Sequence, residues 1–243
     1  MRMPTTLSLM LLLFAFHTAR PARADIILWY NGDLPANGGG TVNEQGTGFF
    51  GSLNVYDNFN VTSPTGWTID RIWSNDQMKI TGITAAEWSI RSGMSAGNGG
   101  TVIASGTSPA TQTATGRTGA SLGFPEYTVQ VSGLNVVLGP GTYWLSVSPL
   151  VGNDTASGGL FDSYNSATVG ANAVGSPPGN DANGLFNSPV LGDNFAPMLM
   201  DYSMGVAGTL GPAAVPEPSA ITLLGLAILI LSMHKARLPS IAF

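Results

Sequence analysis

Leu53-Asn54-Val55-Tyr56-Asp57-Asn58-Phe59-Asn60-Val61 decides the fold class, because its side chains change character at every second position. Leu53, Val55, Phe59 and Val61 share one face, and Tyr56, Asn58 and Asn60 share the other. That is the period of a half-buried strand and not of a helix. Asp57 falls on the apolar face as its one charged member. The same alternation continues outward. Trp67, Ile69 and Trp73 align on the next run, and Trp88 and Ile90 alternate with charge between Glu87 and Arg91. Thr101 to Ser105 follows the Gly97-Asn98-Gly99-Gly100 turn. Tyr127, Val129 and Val131 form a further apolar face, and Leu134 to Leu138 precedes a tight Gly139-Pro140-Gly141 turn. Tyr143, Leu145 and Val147 then point inward, and Met198, Met200, Tyr202, Met204 and Val206 alternate without interruption. With Asp25 to Tyr30 as the first strand, eight or nine short strands are expected. This pattern predicts an all-β, two-sheet antiparallel β-sandwich, jelly-roll-like.

Two stretches lie outside the strand pattern. Thr107 to Gly123 is rich in Thr, Ser, Gly and Ala, and Gly152 to Pro197 is rich in Gly and Asn. Both read as loops.

The two ends of the chain have a different character. Met1 to Ala24 carries Arg2, an apolar run from Leu7 to Phe16, and Ala22-Arg23-Ala24, the layout of a cleaved export signal. At the other end Ala220 to Met233 is an uncharged run of 14 residues, roughly 21 Å as a helix. His234, Lys235 and Arg237 follow it and place its end on the cytoplasmic side. The expected organisation is a signal peptide over 1–24, a β-sandwich over 25–214 and a tail over 215–243 with a single membrane helix.

With both ends set aside, 13 acidic and 4 basic residues remain in about 190. A net charge near −9 opposes binding to nucleic acid or to an anionic membrane surface. The chain has no Cys, and its only histidines, His17 and His234, lie in the two end segments. The central domain therefore cannot build a Ser-His-Asp triad, a Cys-His pair or a His/Cys zinc site. No cofactor is expected. Asp181-Ala182-Asn183-Gly184 has the opening of a calcium loop, with Asn153-Asp154 and Asp193-Asn194 nearby in sequence. It lacks the closing acid and also suits an ordinary turn, so the expectation is a domain that folds without metal. Carboxylate pairs such as Asp57 with Asp70, or Glu87 with Glu126, are the only residues left for glycosidase chemistry. No catalytic residue is assigned. Four of the five tryptophans, Trp29, Trp67, Trp73 and Trp88, sit in apolar alternation and read as core. Trp144 alternates away from Tyr143 and Leu145 and is the candidate glycan contact.

Pro216-Glu217-Pro218, followed by an apolar segment and terminal basic residues, resembles the PEP-CTERM protein-sorting domain. In that family the tripeptide is the recognition signal for exosortase. This membrane-embedded, cysteine transpeptidase-like enzyme removes the tail during export in exopolysaccharide-producing Gram-negative bacteria. The chain differs from the family in a thin basic cluster and in the six residues that follow it, Leu238 to Phe243. The resemblance implies Pro216, Glu217 and Pro218 as the sorting signal and exosortase as a partner. It also implies transient inner-membrane anchoring through the tail before release to the cell surface or extracellular matrix. Tyr56-Asp57-Asn58-Phe59 with Gly66-Trp67, and Gly141-Thr142-Tyr143-Trp144, are similar to a loose group of exported bacterial β-sandwich domains that carry sorting tails. The expected function is a non-enzymatic surface or matrix protein associated with biofilm exopolysaccharide. The alternatives are a carbohydrate-binding module for that polysaccharide and, more remotely, a carboxylate-based glycosidase.

Overall fold

The computed structural model describes residues 26–46, 51–152 and 161–211. The signal peptide over 1–24, Asn153-Asp154, and the tail with Pro216, Glu217 and Pro218 lie outside the described residues. The described chain is all-β, with fourteen strands: β1 Ile26–Tyr30, β2 Gly40–Val42, β3 Glu44–Gln45, β4 Ser52–Val61, β5 Trp67–Met78, β6 Ala85–Ser92, β7 Thr101–Thr118, β8 Pro125–Leu138, β9 Gly141–Pro149, β10 Ser163–Thr168, β11 Leu185–Ser188, β12 Asp193–Pro197, β13 Asp201–Tyr202 and β14 Met204–Leu210. Among these residues no helix is long and apolar enough to cross a membrane.

One hydrogen-bonded path runs β1-β14-β5-β8-β7-β6-β9-β4-β11-β12. Its pairs are antiparallel, and three of them are nested, with β6 against β7, β5 against β8 and β4 against β9. β7 connects the two halves of the path. Its residues 101–109 pair with β6 and residues 110–118 with β8. Apolar side chains from both halves meet in one core, as the alternation requires. Phe59 of β4 lies 5.5 Å from Trp29 of β1 and 6.0 Å from Trp67 of β5, with the Phe59 and Trp67 rings nearly parallel. Val129, Val131, Leu145, Val147, Met204 and Val206 complete the buried cluster around them. This large antiparallel sheet with a shared core is consistent with a β-sandwich.

The structure departs from the sequence reading at four places. Thr107 to Gly123 is not a loop. Residues 107–118 belong to β7, whose side chains are exposed or half-buried throughout. A strand that buries little needs no apolar alternation, which is why its composition resembled a loop. Gly152 to Pro197 is not one loop either, because it contributes β10, β11 and β12. Met198 to Val206 is not one strand, because Met198 and Met200 precede β13 and Ser203 separates β13 from β14. Finally, the register between β5 and β8 shifts between Ile69 and Arg71. An extra residue at a bulge reverses which side chains face the core. Ile72 therefore joins Ile69 inside, and Trp73 moves to the other face, 6.0 Å from Tyr30. There its indole covers Gly205, where an added Cβ would come within 2.1 Å of the ring.

Part of the interior is polar. Asn43, between β2 and β3, donates to Asp76 Oδ1 at 2.9 Å and to the Val147 carbonyl at 2.8 Å. Ser148 Oγ lies 2.7 Å from Asn43 Oδ1 and 2.8 Å from Asn54 Oδ1, so its single hydroxyl proton is shared between the two acceptors. These bonds satisfy groups that would otherwise cost roughly 1–3 kcal/mol each if left unpaired. Burial, helped by the charge of Glu126, pushes the Asp76 carboxyl up to about 7 against the hydrogen bonds from Ser74 and Asn43. Folded Asp76 thus keeps a proton that the unfolded chain loses near pH 4. Its contribution to stability is complete below that pH and disappears as pH rises through about 7. Glu44, also raised mainly by burial, acts in the same sense. The melting temperature is therefore expected to fall between about pH 4 and pH 7. Asp76→Asn should flatten that slope in thermal melts followed by circular dichroism; an equally steep slope in the variant would assign the dependence elsewhere.

Candidate functional site

Two groups of side chains stand out from the apolar core, one on an outer face and one at a junction of three chain segments. The outer face is built by β4, β6 and β9, which place Asn58, Trp144 and Arg91 side by side in register. β11 adds Leu185 opposite Tyr56. Tyr56, Met94 and Leu185 form a second, small apolar cluster, and Trp144 and Phe195 pack on it. The Arg91 guanidinium lies over the rings of Tyr56 and Phe195 at 5.6 and 5.5 Å, and its Nη1 donates to the Gly99 carbonyl at 2.9 Å. Such cation–π contacts are worth about 0.5–2 kcal/mol each. Arg91 thus uses the ring faces of Tyr56 and Phe195, and Trp144 remains half-buried at the margin of the patch. One partly exposed indole beside polar neighbours can stack weakly on a sugar ring.

The second group was legible only in part, because nothing in the linear sequence brings its members together. Asp57 of β4, Asp201 of β13 and Asp181 in the turn before β11 each offer a carboxylate oxygen, and the three atoms lie within 4.8 Å of one another. Asp57 and Asp201 are buried, and Asp181 is exposed. Their orientation is set by donors from the backbone and from asparagines. Asp57 Oδ2 accepts from the Tyr202 amide at 2.6 Å and from Asn31 Nδ2 at 2.7 Å, and Asp57 Oδ1 accepts from the Asn58 amide at 2.8 Å. Asp201 accepts from the amides of Ala182 at 3.0 Å and Asn183 at 3.2 Å. Asp181 Oδ2 accepts from Asn183 Nδ2 at 2.9 Å. Burial pushes the Asp57 carboxyl well up, and the charges of Asp201 and Asp181 push in the same direction. Burial and then the Asp201 carboxylate also raise Asp181. Like charges at this spacing favour a shared proton or a bound cation.

The remaining candidate residues disperse. Asp70 is exposed at the β5 bulge, whereas Asp57 is buried beside Asp201 and the exposed Asp181. Glu87 lines an open depression with Gln45, Thr107 and Leu150. Glu126 is buried and paired with Arg117 Nε at 2.5 Å. Asn194 donates to the Gly97 carbonyl at 3.1 Å, and the Asp193-Asn194 pair lies in β12 and not in the acidic group. The residues that sequence reasoning missed are Asp201, placed in the polar phase of an alternating strand, and Asn31, placed in a turn. The available signals were Asp57 on an apolar face and the calcium-loop opening at Asp181-Ala182-Asn183-Gly184. No family model, curated protein or solved structure matches the chain.

Trp144→Ala is expected to lower stability by about 2 kcal/mol through lost packing on Tyr56, Met94 and Leu185. Trp144→Phe should retain most of that packing. Thermal melts of both variants test the assignment, and an unchanged melting temperature in Trp144→Ala would show that the indole packs on nothing.

Proposed function

We propose that the chain is a non-enzymatic exported protein of the cell surface or extracellular matrix, associated with exopolysaccharide and sorted by exosortase. In this reading a signal peptide over 1–24 directs export. The tail over 215–243 anchors the chain briefly in the inner membrane, and a jelly-roll-like β-sandwich is the released product. The observation that carries the proposal is Pro216-Glu217-Pro218 followed by the uncharged run Ala220 to Met233 and then His234, Lys235 and Arg237. The nested pairing of β4 with β9, β5 with β8 and β6 with β7 supports the jelly-roll character, since a long hairpin rolled on itself gives those pairs. A non-enzymatic role is favoured by the lack of His and Cys in the domain and by the separate partners of Asp57 and Asp70, and of Glu87 and Glu126. The long outer surface of β7, rich in Thr, Ser and Ala and without an acidic residue, suits many weak contacts with a hydrated polymer.

A second reading, a carbohydrate-binding module, is favoured by the half-buried Trp144 beside polar Asn58 on the outer face. Stacking on a sugar would then concentrate affinity on that indole.

Intact-mass spectrometry of the protein released by its own cells is expected to show loss of both 1–24 and the segment containing Ala220 to Met233. Glu217→Ala should hold the chain in the inner membrane; a variant still released and trimmed like the wild type would sink the sorting assignment. Glycan arrays separate the two readings. Weak binding that survives Trp144→Phe supports the matrix role, and binding abolished by Trp144→Phe at unchanged melting temperature supports the module.

A further inference from the structure

The acidic group at the junction of β4, β13 and the turn before β11 has the composition and spacing of an ion site. A calcium ion held at 2.3–2.6 Å places any two of its ligand oxygens within about 5 Å of each other. The carboxylate oxygens of Asp57, Asp181 and Asp201 meet that limit, all lying within 4.8 Å. Three acids alone do not make a site, and a second observation comes from Asn31. Its side chain is 1 % exposed and reaches into the group, where Nδ2 donates to Asp57 Oδ2 at 2.7 Å and to the Tyr202 carbonyl at 3.1 Å. The Oδ1 of the same amide is buried without a hydrogen-bond partner. Asn183 repeats the arrangement, with Nδ2 on Asp181 and a buried Oδ1 that also has no partner. The two amides that touch Asp57 and Asp181 thus each carry a buried, orphaned oxygen that needs a donor or a cation.

We propose that Asp57, Asp181 and Asp201, with the amide oxygens of Asn31 and Asn183, form a calcium site that ties the turn at residues 181–183 to β4 and β13. The donor set is all oxygen, and the domain offers no imidazole or thiolate, which selects a hard cation over zinc or copper. Calcium is preferred to magnesium because carboxylates and amide oxygens from distant segments supply a looser, larger shell than magnesium accepts. Backbone amides already orient Asp57 and Asp201, and exposed Asp181 gives the ion access from solvent. The site uses residues 31, 57, 181, 183 and 201, so it forms only when the fold brings them together. It stands on this geometry and does not depend on the export reading.

The test uses the full chain, stripped with a chelator and titrated with calcium chloride by calorimetry and by thermal melts. One calcium per chain and a rise in melting temperature of several degrees are expected, with a smaller rise in equal magnesium. Asp181→Asn changes the exposed ligand and should weaken calcium binding by at least about tenfold, while the calcium-free melt is no lower than in the wild type because a like charge beside Asp57 and Asp201 is removed. Terbium luminescence of the wild-type chain, sensitised by Tyr202 and quenched by added calcium, reads the same site without any variant. The proposal is overturned if the stripped wild-type chain binds no calcium, if terbium emission is not displaced, or if Asp181→Asn binds calcium as tightly as the wild type.

Discussion

A single buried carboxylate, that of Asp57, constrains how the outer layers of this fold meet. It stands where the alternation of β4 calls for an apolar side chain, and it is fully buried. Its oxygens accept from Asn31 at the end of β1, from Asn58 on its own strand and from the Tyr202 amide of β13. Segments 26 and 145 residues away in sequence are therefore fixed to the middle of β4. An unpaired carboxylate at this depth costs several kcal/mol, so the three donors must arrive together. In a chain without cysteine, such long-range polar ties take on the cross-linking role that disulfides have in many exported domains. Asp76, Asn43, Ser148 and Asn54 act alike in another part of the interior.

The apolar core and these polar ties divide the work. Phe59, Trp29 and Trp67 meet in the shared core and, with the other buried apolar side chains, supply the driving force. Burial of that kind has no direction. The hydrogen-bonded acids provide the direction, because each accepts only donors that lie in the right place. β7 extends both systems. As one strand of 18 residues shared by the two halves, it keeps the hydrogen-bonded path continuous where two separate sheets would leave open edges.

How much of this could be read from the residues depended on how much each strand buries. The alternations in Leu53 to Val61 and in Met204 to Val206 were legible because one face is in the core and period 2 exposes the fact. The second half of β7 was not legible, since its Thr, Ser, Gly and Ala residues bury neither face fully. Trp73 was misplaced because a bulge near Asp70 shifts the phase by one residue, and no local composition announces a bulge. The acidic group was half visible. Asp57 was conspicuous as a charge on an apolar face, but Asp201 occupied a normal polar position, and its approach to Asp181 follows from topology alone. Trp144 was correctly separated from its neighbours by alternation, yet it packs on a second cluster that requires β11 and β12, strands hidden within the Gly- and Asn-rich segment.

The position of β14 has a mechanical consequence. This last strand pairs with β5 at seven positions on one side and with β1 at four on the other, and the chain leaves it at Leu210. A pull applied through whatever follows Leu210 acts along the strand axis and across hydrogen bonds that run perpendicular to it. Those bonds share the load in shear, and a pull on Ile26 reaches the sheet only through the pairing of β1, its outer strand, with β14. Tension on the C-terminal side is thus passed directly to two neighbouring strands, and tension on the N-terminal side to one.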